Sequence, residues 1–123
     1  MMAKSKRKDR VAPPAGPGQW EPRFGTSAAV KGWENLCAQA PGPTSEAFDR
    51  LRTNPRAKSS RQAQLKGDLA TRKVQDRTLE QWQYEVTGGG RIWDVVDDDV
   101  HTLWITEAGV KHPSRTDRRA QAG

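Results

Sequence analysis

The chain has 123 residues, a hydrophobic share of 33% and a formal net charge of +6. That length suits one domain, and the low apolar share limits it to a small core. No run reaches the ~20 consecutive apolar residues of a membrane helix. The basic N-terminus lacks the apolar stretch of a secretory signal, so a cytoplasmic protein without membrane attachment is expected. A lone cysteine, Cys37, excludes a disulfide framework or a cysteine-based zinc cluster within this sequence and suits a reducing compartment.

Residues 1–18 combine basic charge with Pro, Gly and Ala and show no hydrophobic period. They are expected to be a disordered tail. Trp20-Glu21-Pro22-Arg23-Phe24 reads as a first strand, which Pro22 confines to an edge or a strand start. Ser27 is placed to cap a helix through about Gln39, with Val30, Trp33, Leu36, Cys37 and Ala40 on one stripe. On that stripe Cys37 reads as a small core residue rather than a nucleophile. Gly32 inside the helix costs roughly 1 kcal/mol relative to Ala, so tertiary packing must compensate. Pro41-Gly42-Pro43 ends this helix, and Thr44 or Ser45 caps a second one through Thr53 with Ala47, Phe48 and Leu51 inward. The two make a helical hairpin.

A basic loop is expected over residues 55–69, ending in Leu65-Lys66-Gly67, followed by a weak strand from Ala70 to Asp76. From Gln81 to Val86 polar and apolar residues alternate, placing Trp82, Tyr84 and Val86 on one face of a strand. Thr87-Gly88-Gly89-Gly90 supplies a turn tolerant of positive φ, and Arg91 to Val96 returns. Asp97-Asp98-Asp99 turns again before a strand from His101 to Thr106. The fold class is therefore α+β: a small, twisted antiparallel meander packed against an N-terminal helical hairpin. Its second face should form a partly aromatic surface. A single domain is expected over residues 19–117, with a flexible tail at 118–123.

Charge is segregated along the chain. Residues 1–10 carry +4, residues 11–49 carry −2, residues 50–77 carry +7, residues 80–107 carry −6 and the remainder +3. A basic and an acidic surface are expected, the basic one suited to a polyphosphate partner through counterion release.

The residues Leu65-Lys66-Gly67, Trp82-Gln83-Tyr84-Glu85-Val86, Gly90-Arg91-Ile92-Trp93, Asp97-Asp98 and Lys111-His112-Pro113, in this order, resemble the RelE/ParE superfamily of type II toxins. The resemblance runs from about Trp20 to Asp117. It implies a small basic toxin neutralised by an acidic antitoxin. One branch enters the ribosome and cleaves mRNA by 2′-OH attack on the adjacent phosphate; the other targets DNA gyrase. Translation inhibition by a metal-independent endoribonuclease is the leading expectation. A gyrase inhibitor and a catalytically degenerate nucleic-acid-binding homologue are the alternatives.

Cleavage of this kind requires a base, cations for the phosphorane and an acid for the leaving oxygen. Arg91 stands where the family carries an arginine facing the scissile phosphate; the alternative is a structural pair with Glu85 across the hairpin. His112 matches a segment where some members place a catalytic histidine, or it is an exposed tail residue. Glu85 is either a general base or a salt-bridged strand carboxylate. Lys66, Arg61, Arg72, Lys73, Lys111 and Arg115 are candidate phosphate contacts or solvated surface cations. His101 reads as structural. Gln83 and Glu85 replace lysines of the ribosome-dependent members, and Asp94 stands where the family commonly has an aromatic residue. No metal-ligand cluster is evident and no cofactor is expected.

Overall fold

The computed structural model describes residues 5–11 and 13–111. Strand β1 (Glu21–Phe24) leads into helices α1 (Ser27–Gln39) and α2 (Pro41–Thr53), then β2 (Gln62–Gln64), β3 (Thr71–Val74), β4 (Arg77–Glu85), β5 (Arg91–Asp97) and β6 (Thr102–Gly109). The sheet runs β1-β6-β5-β4-β2, with β3 also pairing to β4. All pairings are antiparallel except β1 with β6, where the chain returns in parallel. The mixed α+β class and the β4-β5-β6 meander match expectation. No helix among the described residues is long and apolar enough to cross a membrane.

Both helices form where apolar residues recur at helical spacing, but their starts differ from those read locally. Thr26, not Ser27, caps α1: its Oγ1 accepts from the Ala29 N–H at 3.0 Å and donates to the Thr106 carbonyl at 2.9 Å. The cap is thus set partly by β6, which a local reading does not see. Pro41-Gly42-Pro43 opens α2 rather than separating the helices. Proline suits the first helical position because the N–H it lacks would have no intrahelical partner there. Thr44 and Ser45, the two cap candidates, both lie inside α2, where Thr44 is buried and donates to the Leu36 carbonyl at 3.2 Å.

Phe24, Leu36, Phe48, Leu51, Ile92, Leu103 and Ile105 form the main core between the helices and one sheet face. Cys37 lies outside it and is exposed. The other sheet face is not an open aromatic surface. Val74 and Leu79 of the β3–β4 hairpin pack with Val95 and Trp104, and Trp93 is fully buried. The indole N–H groups of Trp93 and Trp104 donate to Gln83 and Asp97. That hairpin turns through Gln75 and Asp76, both at positive φ (55° and 61°), the geometry of a two-residue type I′ connection. The β4–β5 turn uses no positive φ; Gly90 is needed instead for space, since a Cβ there would meet Thr87 Oγ1 at 2.8 Å.

Residues 8–11 overturn the expectation of disorder for that part of the N-terminal segment. Lys8 N–H donates to the Phe24 carbonyl, Phe24 N–H to Asp9 and Val11 N–H to Pro22, so this stretch lies along the outer edge of β1. Val11 joins the core, and one buried valine with a few edge hydrogen bonds suffices to order a segment whose composition is polar.

Candidate nucleic-acid interface

Arg91 opens β5 directly opposite Glu85 on β4. Its side chain is only 8% exposed, and Nη2 pairs with Glu85 Oε1 at 3.3 Å. Nη1 donates to three backbone carbonyls of the preceding turn, Thr87 at 2.9 Å, Gly88 at 3.3 Å and Gly90 at 3.0 Å. The Gly90 carbonyl already accepts from Val86 N–H, and the guanidinium adds a donor there while satisfying the Thr87 and Gly88 carbonyls. Arg91 therefore secures the β4–β5 turn, and Glu85 supplies its counter-charge.

The candidate phosphate contacts divide between two ends of β4. Arg61 lies at the Glu85 end, where its carbonyl accepts from Glu85 N–H and its Nη1 donates to the Glu85 and Val86 carbonyls. Lys111 follows Gly109, the β6 partner of Arg91, and is exposed at the same end. Lys66 follows Leu65, whose N–H donates to Gln81. At roughly 3.3 Å per residue this puts Lys66 about 13 Å further along β4 than Arg61. Lys73 and Arg72 lie beyond it on β3, opposite Thr78 and Leu79. His112 and Arg115 fall outside the described residues. Arg91, Glu85, Arg61 and Lys111 are thus brought together, while Lys66, Arg72 and Lys73 are not part of that group.

The two charged segments do not form separate surfaces; folding sets one against the other. Arg56 holds Asp98 with two parallel bonds of 2.9 and 2.8 Å and Glu80 with a third. Hydrogen bonds from Arg56 hold the Asp98 carboxyl below its usual range. Glu80 is lowered as well, first by the Trp82 indole and then by Arg56. Arg77 bonds Asp97 at 2.7 Å and Asp99 at 2.9 Å. Arg52 is buried, lies over the Phe48 ring at 4.7 Å and donates to the Pro14 carbonyl and Gln19 Oε1. Three arginines of the basic segment are therefore engaged by groups of the chain itself, Arg52 buried and Arg56 and Arg77 in part-exposed ion pairs. Exposed cations that remain along it are Arg50, Lys58, Arg61, Lys66 and Lys73. His101, read as structural, adopts a left-handed conformation (φ 50°) and stacks on Trp20 with ring centroids 4.0 Å apart.

Sequence reasoning missed the internal duties of Arg52 and Arg56, because a guanidinium reaching across the fold leaves no mark at its own position. It also missed β2, whose residues join the sheet through β4 rather than through any alternation of their own. Tyr84 carried a usable signal: a phenol on an otherwise apolar strand face brings one polar tip to the edge of the core.

Comparisons with protein-family models, with curated proteins and with solved structures return no match to this chain.

Proposed function

We propose that the chain is a RelE/ParE-type toxin that engages ribosome-bound mRNA in the cytoplasm, inhibits translation and is held in check by an acidic antitoxin. One observation carries this reading: a strand and a helical hairpin pack on an antiparallel meander in the order that the sequence resemblance implies, with Arg61 and Lys111 beside the Glu85–Arg91 pair. These exposed cations suit phosphate contacts that position a strand without reading its bases. In this reading Arg91 stabilises the turn that carries the site, and proton transfer falls to His112.

The burial of Arg91 favours a second reading, in which the protein binds its target without cutting it, as a gyrase inhibitor or a nucleic-acid-binding homologue. Expression in bacterial cells, with growth followed and mRNA 5′ ends mapped, separates the two. Growth arrest with new mRNA ends, lost in His112→Ala, supports cleavage. Arrest with intact mRNA supports binding without cleavage, and DNA-damage induction then identifies gyrase as the target. Normal growth with no new mRNA ends would overturn the toxin reading.

A further inference from the structure

Between the C-terminal half of α2 and β2 lie two adjoining clefts that share Arg50 and Ser59. The smaller, about 230 Å³, is lined by Glu46, Arg50, Ser59, Ser60, Arg61 and Tyr84. The larger, about 360 Å³, continues past Asp49, Thr53, Asn54, Ala57 and Gln62. We propose that this double cleft holds one nucleotide of an RNA strand, the phosphate in the smaller chamber and the nucleoside in the larger.

The donors fit the two halves of such a ligand. Arg61 spends Nη1 on the Glu85 and Val86 carbonyls. A guanidinium has five N–H donors, so further ones remain for an anion. Arg50 is paired with Glu46 one turn earlier at 3.1 Å, and both side chains are about 60% exposed. A pair this exposed contributes little and exchanges readily for a phosphate. The hydroxyls of Ser59 and Ser60 add neutral donors. The Tyr84 hydroxyl has no hydrogen-bond partner among the described residues, and Arg50, Glu46 and Arg61 all act electrostatically on that phenol. The larger chamber falls within the size range of small-molecule sites and offers amides from Asn54 and Gln62, groups that pair with base edges. Gln62 is buried, with Nε2 anchored on the Asn54 carbonyl at 3.2 Å, so its amide is held in place.

The inference rests on the nucleic-acid reading above and names where the strand sits; Arg50 and Tyr84 enter the site although neither stood among the candidate contacts. Its test is direct binding of a short fluorescent oligoribonucleotide to the purified full chain, read by anisotropy over a range of salt. Arg61→Ala and Arg50→Ala are each expected to weaken binding about tenfold and to lower the salt slope by about one unit. Tyr84→Phe, which removes only the hydroxyl, is expected to weaken binding about fivefold. Lys31→Ala, an exposed cation on α1 outside both clefts, should change affinity less than twofold. A nucleoside 5′-monophosphate should compete at lower concentration than inorganic phosphate. Equal competition would overturn the nucleoside chamber, and unchanged affinity in both arginine variants would overturn the site. Binding that follows these variants in a chain that does not arrest growth would sink the toxin reading and leave the cleft standing. Growth arrest with cleft variants at full affinity would do the reverse.

Discussion

Gly32 of α1 and Ala108 of β6 approach so closely that a Cβ on the glycine would stand 1.7 Å from the Ala108 carbonyl oxygen. The helix can lie flat on the sheet only because that Cβ is absent. Helix propensity alone predicts that Gly32→Ala gains about 1 kcal/mol. The overlap reverses the sign: the substitution should destabilise the fold by about 3 kcal/mol, since α1 must lift from β6. Urea denaturation checks this, and a midpoint at or above the parent's would refute the contact.

Asp94 sits in the middle of β5 opposite Trp82 and Ile105, fully buried, with no hydrogen-bond partner among the described residues for either carboxylate oxygen. Desolvation raises its pKa well above the ordinary value of 3.8. Between that value and the raised one, the unfolded chain is ionised at this position while the folded chain keeps its proton. The folded state then binds more protons, and stability falls as pH rises, by up to about 1.4 kcal/mol per pH unit. Glu21, Glu80 and Asp98 are shifted downward and act oppositely, but only at acid pH. Denaturation curves from pH 5 to 8 should therefore show declining stability in the parent and a flatter profile in Asp94→Asn. Identical profiles would remove the assignment.

Replacing Arg91 should be felt first in the fold. Arg91→Ala removes the side-chain donor from the carbonyls of Thr87 and Gly88, leaves the Gly90 carbonyl only its backbone donors and takes the partner from Glu85, a loss of about 3 kcal/mol. Arg91→Lys keeps the charge but not the fork and should recover only part of it. Amide exchange over residues 85–91 reports the effect locally. Unaltered protection in Arg91→Ala would show that the turn stands without it.

Arg77 is the partner of a carboxylate that has almost no access to water, Asp97, whose other oxygen accepts from the Trp104 indole at 3.3 Å. Arg77→Ala should cost about 2 kcal/mol, because it strands a buried acceptor while Arg77 itself is partly exposed. The double variant Arg77→Ala/Asp97→Asn should recover some of that loss. A cycle with no coupling energy would mean that the pair does not form in solution.

The exposed pair of Arg50 and Glu46 offers a contrast. Glu46→Gln should change stability by no more than about 0.5 kcal/mol, measured by the same denaturation. A larger loss would mean that the salt bridge is too strong to yield Arg50 to a ligand.

The sequence alone determined the helical hairpin, the β4-β5-β6 meander and their order, because periods of 3.6 and 2 are written in neighbouring residues and need no knowledge of the partner surface. Tertiary structure decided the rest. It made Gly32 obligatory through a β6 carbonyl 76 positions later, drew Val11 into the core, buried Asp94 at the centre of β5 and moved Cys37 out to solvent. It also decided which cations are already engaged: Arg52, Arg56 and Arg77 bond carbonyls and carboxylates of the chain, whereas Arg61 stays exposed between α2 and the Arg91 turn. A charge count along the chain cannot separate these fates, because pairing depends on distances between residues that only folding brings within reach.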